Sequence, residues 1–167
     1  MFFKKIKLIF IVFLFYQTPL YSKSTSFNFD TKNLSKYFSG IVAFENKDNS
    51  EALEFFNSSK ILIKKHNPYL ERYIYSLVLE NKVSQAINVI KQNKHKDNTK
   101  FFDAHLLLII DSLKKNNLDK AYQHLSNASN FIQKDRFNQA ILESFKQFIF
   151  VFKENKISND KKNFGNL

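Results

Sequence analysis

The chain has 167 residues, which allows one domain, and 44 % of them are hydrophobic, which is enough for a core. It contains no cysteine, so disulfides, thiolate metal ligands and cysteine nucleophiles are excluded. The net charge of +11 comes almost entirely from lysine, since Arg72 and Arg136 are the only arginines. Proteins that bind phosphates usually cluster arginine as well, so no nucleic-acid partner is expected.

The first 22 residues have the features of a secretory signal peptide. Three lysines precede an apolar run from Leu8 to Phe15, Pro19 interrupts the run, and Ser22 is a small residue suited to cleavage. The run is shorter than the ~20 residues of a membrane-spanning helix. We therefore predict a signal peptide over 1–22, a polar leader over 23–33, and export to the periplasm. Retention in the inner membrane by an uncleaved N-terminal segment is the alternative.

Three similar stretches follow, each of which combines a polar turn with the start of a helix: Glu45–Ala52, Glu80–Ala86 and Lys115–Ala121. Their alanines are 34 and 35 residues apart. A bulky apolar residue follows each alanine one helical turn later, as expected where two helices cross closely. The positions that this pattern assigns to helix packing are Gly40, Ala52, Phe56, Ala86, Ile90, Ala121, Leu125 and Ala128.

This pattern resembles the tetratricopeptide repeat, a helix-turn-helix unit of about 34 residues. Gly40 precedes Ala52 by the family's Gly-to-Ala spacing, whereas Ile74 and Ile109 occupy the corresponding positions later. The chain is also similar to exported bacterial, proteobacterial proteins with such repeats, through the stretches Tyr37–Gly40 and Asn67–Leu70. The resemblance implies an all-α fold, an α-solenoid of about three repeats followed by a C-terminal capping helix.

The predicted repeat domain covers 34–156 and is followed by a polar tail over 157–167. Its repeats are expected at 34–66, 67–98 and 99–132, with the capping helix at 135–155. The individual helices are predicted at 34–46, 50–65, 67–81, 83–93, 99–115, 118–132 and 135–155. Asp48 and Glu51 have the spacing of a capping box before the second helix. Asn67 is expected to cap the third helix, with Pro68 at its first position.

Few residues in the sequence suggest catalysis or metal binding. The four histidines are His66, His95, His105 and His124, and no two of them are three or four residues apart. The carboxylates are scattered, and the two glycines cannot form a phosphate-binding loop. We therefore expect no metal, no cofactor and no enzymatic activity, and we interpret His105 as a packed residue of an apolar helix.

The resemblance implies that the first helices of successive repeats line a concave groove. The family's groove positions correspond here to Tyr37, Ile41, Phe44, Glu71, Tyr75, Leu106, Ile110, Leu113, Phe145 and Ile149. Most are apolar, which suits an amphipathic helix or an extended apolar peptide. The hypothesis is a non-catalytic protein-protein interaction scaffold of the bacterial cell envelope, with a protein or peptide partner of unknown identity. Two alternatives are a groove covered by the chain's own segments or by self-association, and a lysine-rich surface that binds membranes or polyanions.

Overall fold

A computed structural model describes residues 31–93, 101–132 and 135–157. Within these ranges the chain forms seven α-helices and no strand, so the all-helical prediction is confirmed. The helices are α1 Thr31–Glu45, α2 Asn49–Ser58, α3 Asn67–Leu79, α4 Val83–Asn93, α5 Phe102–Lys114, α6 Leu118–Ala128 and α7 Arg136–Glu154. Short 3-10 helices extend over Lys60–Lys64 and Ser129–Phe131. The predicted signal peptide lies outside the described residues.

Several of the predicted helix boundaries are wrong, including the start of the helix predicted at 99, which begins at Phe102, and the end of the helix predicted over 118–132, which ends at Ala128. Helix α1 begins at Thr31, inside the predicted polar leader, and the helix predicted over 50–65 ends as an α-helix at Ser58. The hydroxyl of Ser58 donates to the carbonyl oxygen of Phe55 at 2.8 Å, and the hydroxyl of Ser59 donates to the same oxygen at 2.9 Å. Such local bonds compete with the α-helical pattern. The chain therefore tightens into a 3-10 turn after Ser58.

Side-chain caps fix the starts of three helices. Asp48 accepts from the Glu51 amide at 3.0 Å, which confirms the predicted cap of α2. Asn117 caps α6 and Asp135 caps α7 through the equivalent bond to the residue three places later. The predicted cap at Asn67 is wrong because Asn67 is already helical and the extended residue before it is His66. Pro68 still lies in the first turn, where its missing amide costs nothing.

One turn geometry recurs between paired helices. Lys47, Asn81 and Asn116 adopt left-handed backbone conformations, with φ of 67°, 57° and 54°. After each of them, the next amide donates five residues back along the chain, which closes a Schellman motif. These bonds are Asp48 N to Ala43 O, Lys82 N to Leu77 O, and Asn117 N to Ser112 O. The left-handed residues are spaced by 34 and 35 positions, which is also the spacing of the three alanines.

The structure buries all eight residues that the sequence assigns to packing. Ala52, Ala86 and Ala121 have no exposed surface. Helix α5 contributes to two buried clusters. Its Ala104 and Leu108 pack with residues of α1 to α4. Its Phe102 and Ile109 pack with residues of α6 and α7. Helix α5 therefore joins the two halves of the described core.

Gly40 marks the closest approach of α1 to α2. A Cβ atom built on Gly40 would lie 2.8 Å from Cε1 of Phe56 and 3.0 Å from its Cδ1. The Phe56 ring has no room to move away, because it is fully buried between Tyr37 and Tyr69, with ring centroids 5.9 Å and 6.0 Å away. Only a residue without a side chain therefore lets the two helices cross at this distance.

We predict that Gly40→Ala destabilises the fold. Alanine gains about 1 kcal/mol of helix propensity over glycine. Overpacking a rigid core costs about 1–3 kcal/mol, so the net loss should be about 1 kcal/mol in the free energy of unfolding by denaturant titration. Combining Gly40→Ala with Phe56→Leu should cost less than the sum of the two single changes, since the smaller side chain removes the clash. A more stable Gly40→Ala variant would contradict the close approach.

Candidate functional site

The ten residues predicted to line a groove differ in their exposure. Ile110 is 46 % exposed, and Tyr37 and Ile149 are 3 % and 2 % exposed. The other seven are half-buried: Ile41, Phe44, Glu71, Tyr75, Leu106, Leu113 and Phe145. The assignment of Tyr37 and Ile149 to an open groove is therefore wrong, because both side chains belong to the core.

Aromatic packing explains the burial of Tyr37. Its ring lies 5.6 Å from the Tyr69 ring and 4.8 Å from the His66 imidazole, measured between centroids. Gly40, one turn later on the same side of α1, brings α2 close enough for Phe56 to complete this cluster. On α7, Ile149 follows Leu142 by two helical turns, and both join the buried cluster of α5 and α6. Both residues are thus packing residues.

Arg72 connects α3 to α1 at the edge of the remaining surface. Its guanidinium carbon lies 5.4 Å from the centroid of the Phe44 ring, and its Nη1 atom lies 3.9 Å from Oε1 of Glu45. The ion pair is exposed, and pairs of this kind contribute little to stability. The cation–π contact places a positive charge beside an otherwise apolar surface. The sequence analysis did not assign Arg72 to the groove.

Tyr75 connects α3 to α5. Its hydroxyl donates to Oδ2 of Asp103 at 2.7 Å. Burial, the bond to Asp103 and the nearby Glu71 carboxylate all raise the pKa of Tyr75 above its usual value, so the phenol stays protonated and remains a donor. Tyr75 is therefore a fixed part of the surface, and its hydroxyl is already engaged.

We name the partly apolar set of residues on α1, α3, α5 and α7 the first-helix face. It consists of Ile41, Phe44, Glu71, Arg72, Tyr75, Asp103, Leu106, Ile110, Leu113 and Phe145. Half-buried apolar side chains with a few fixed charges are suited to docking another apolar chain segment. In the described ranges, no three His, Asp or Glu side chains come together as a metal-binding group. None of the helices over the same ranges is long and apolar enough to cross a membrane.

The sequence analysis also missed a cavity of about 940 Å³ against α4, α5 and α6, which we name the α4–α6 cavity. His105 of α5 and His124 of α6 line it, with ring centroids 6.3 Å apart. Histidines three or four residues apart lie on one face of a single helix, whereas these two lie on different helices. His105 also stacks on Phe131, with centroids 5.3 Å apart.

Both histidines of the cavity are held neutral by their surroundings. Nδ1 of each is buried and has no hydrogen-bond partner among the described residues. Burial lowers the pKa of His105, and the adjacent His124 lowers it further. Burial also lowers the pKa of His124, with smaller effects from Lys120 and Lys91. Protonating either ring would therefore place a positive charge on a ring that is partly buried from water.

Comparison with protein-family models, curated proteins and solved structures finds no match to the chain.

The histidine pair predicts a pH dependence of stability. Because the folded state lowers both pKa values below 6.5, the unfolded state binds more protons as the pH falls through that value. The thermal midpoint should therefore decrease from pH 7.5 to pH 5.5, a range above the usual carboxylate pKa values. His105→Gln combined with His124→Gln should reduce this slope. Equal slopes in the parent protein and in the double variant would contradict the assignment.

Proposed function

We propose that the chain is a non-catalytic protein-interaction scaffold of the tetratricopeptide type. The observation that carries the proposal is the threefold recurrence of one turn, in which left-handed residues at 47, 81 and 116 precede fully buried alanines. Each repeat of this kind buries its apolar surface against its neighbours. Such stacking leaves a face of successive first helices available to a partner.

The proposed binding surface is the first-helix face. The Tyr75–Asp103 hydrogen bond and the Arg72–Phe44 contact link three first helices, so the surface is fixed before a partner arrives. A preorganised surface loses less conformational entropy on binding. Ile110 is the most exposed apolar residue of the face and is the natural first contact. The expected partner is an amphipathic helix or an apolar peptide of another protein.

The proposed location is the bacterial cell envelope, on the periplasmic side. The support is the N-terminal sequence, in which lysines precede a short apolar run. An uncleaved segment would keep the same domain on the inner membrane. The competing function, binding of membranes or polyanions through lysines, has weaker support, since Lys91 and Lys115 both pair with Asp111 at 2.5 Å and 2.8 Å.

A matched pair of isoleucines allows a direct test of the first-helix face. Ile110 is 46 % exposed on that face, and Ile61, which is not one of the residues of the face, is 50 % exposed in the 3-10 helix after α2. We expect Ile110→Ser to weaken capture of a partner from envelope extract by about 1–2 kcal/mol, because truncated apolar contacts cost this much in binding. Ile61→Ser should leave capture unchanged. Both variants should keep the melting temperature of the parent protein.

Salt separates the two functional hypotheses in the same assay. Apolar docking should persist at high salt, whereas binding through lysines should weaken steeply. Capture that disappears in salt and responds equally to both isoleucine variants would reject the first-helix face and favour the lysine surface.

A further inference from the structure

The α4–α6 cavity shares no residue with the first-helix face, and its chemistry differs. Lys91, Lys115 and Lys120 line it together with a single carboxylate, that of Asp111. With both histidines neutral, these side chains give the lining two net positive charges. The cavity is therefore electrostatically suited to an anionic ligand.

The positive charges of the cavity are only partly neutralised. Asp111 lies 2.5 Å from Nζ of Lys91 and 2.8 Å from Nζ of Lys115, measured to its two carboxylate oxygens. The hydrogen bonds from Lys115 and Lys91 lower the pKa of Asp111, so it remains ionised and paired with both lysines. Within the described residues, the ammonium group of Lys120 has no carboxylate partner. Lys120 is thus the cation that an incoming carboxylate can pair with.

The rest of the lining is suited to a peptide more than to a simple ion. Gln123, Asn127 and Asn130 contribute carboxamides, which can both donate to and accept from peptide groups. Leu108 and Phe131 add apolar surface for a side chain. The volume of about 940 Å³ is within the range of roughly 300–1,000 Å³ typical of sites for ligands much larger than inorganic phosphate.

We propose that the α4–α6 cavity binds an acidic peptide segment of a partner protein. A carboxylate of the peptide pairs with Lys120, and the peptide backbone bonds to the carboxamides of Gln123, Asn127 and Asn130. The imidazoles of His105 and His124 respond to the bound carboxylates. A nearby negative charge favours the imidazolium form, so binding raises both pKa values and takes up protons. By linkage, affinity increases as the pH falls from 8 to 6.

The proposal is tested with the full chain and two blocked pentapeptides, one alternating glutamate with leucine and one with glutamine in place of glutamate. The readout is the NMR titration of the histidine ring signals, assigned with His→Gln variants. The glutamate peptide should shift the signals of His105 and His124, raise both pKa values and leave His66 unchanged. Lys120→Gln should weaken binding roughly fivefold, as for loss of one partly exposed ion pair. Lys114→Gln, an equal loss of charge on the adjacent helix outside the cavity, should have no effect.

Four results would overturn the proposal. These are no response of the two histidines at millimolar glutamate peptide, equal binding of the glutamine peptide, equal weakening by Lys114→Gln and Lys120→Gln, and an equal response to inorganic phosphate alone. The last result would assign the cavity to small anions. Circular dichroism of every variant confirms that the helices are intact. Because the assay does not use the first-helix face, its outcome is independent of the Ile110 experiment.

Discussion

The close crossing of paired helices at small residues is the interaction on which the rest of the structure depends. Ala52, Ala86 and Ala121 are completely buried, and each follows a left-handed residue by five positions. The left-handed residue ends one helix, and the Schellman bonds fix how the chain turns into the next. That fixed rotation directs the alanine into the helix interface. A larger side chain at any of these alanines would move the paired helices apart. The distances between the helices that form the first-helix face would then change as well.

Helix α5 shows how one helix can serve a core and two surfaces. Successive residues of an α-helix point about 100° apart, so adjacent positions face different surroundings. Ala104 and Ile109 are buried, Asp103 and Ile110 belong to the first-helix face, and His105 lines the α4–α6 cavity. Both proposed sites are therefore built on the same rigid element. This arrangement gives each site a fixed geometry without a dedicated loop.

The sequence predicted those features that depend on patterns within one helix or turn. The recurring alanines are buried, and Asp48 caps α2 as its spacing to Glu51 indicates. The features it missed depend on contacts between helices. The Tyr75–Asp103 bond joins residues 28 positions apart, and the histidines of the cavity lie on neighbouring helices. Such pairs follow from the register of one helix against another, and periodicity along a single helix carries no information about that register.

The burial of Tyr37 shows the same limit at a single residue. The family resemblance placed Tyr37 on an open groove, and the same resemblance placed Gly40, one helical turn later, at a helix-packing position. Gly40 removes the side chain that would keep the helices apart, so the Phe56 ring reaches the Tyr37 ring. The missing side chain and the buried tyrosine are thus two consequences of one close approach. The groove assignment considered Tyr37 by itself, whereas its burial depends on rings from α2 and α3 that the close approach brings against it.

Helix α7, which the resemblance implied to be a capping helix, exposes several apolar side chains. Terminal capping elements of repeat proteins present a polar outer face. On α7, Phe137, Phe148 and Phe152 are 63 %, 47 % and 62 % exposed. Asn155 adopts the same left-handed conformation as the three residues that end α1, α3 and α5, with φ of 53°.

The position of Phe148 relative to the left-handed residue Asn155 matches a position that is buried in α3 and α5. Phe148 precedes Asn155 by seven residues, as buried Ile74 precedes Asn81 and buried Ile109 precedes Asn116. Helix α7 therefore has the same sequence pattern as α3 and α5. In α3 and α5, the residue at this position is buried against the next helix. The same apolar pattern is present on α7, but no helix follows α7 among the described residues. Its phenylalanines are therefore exposed.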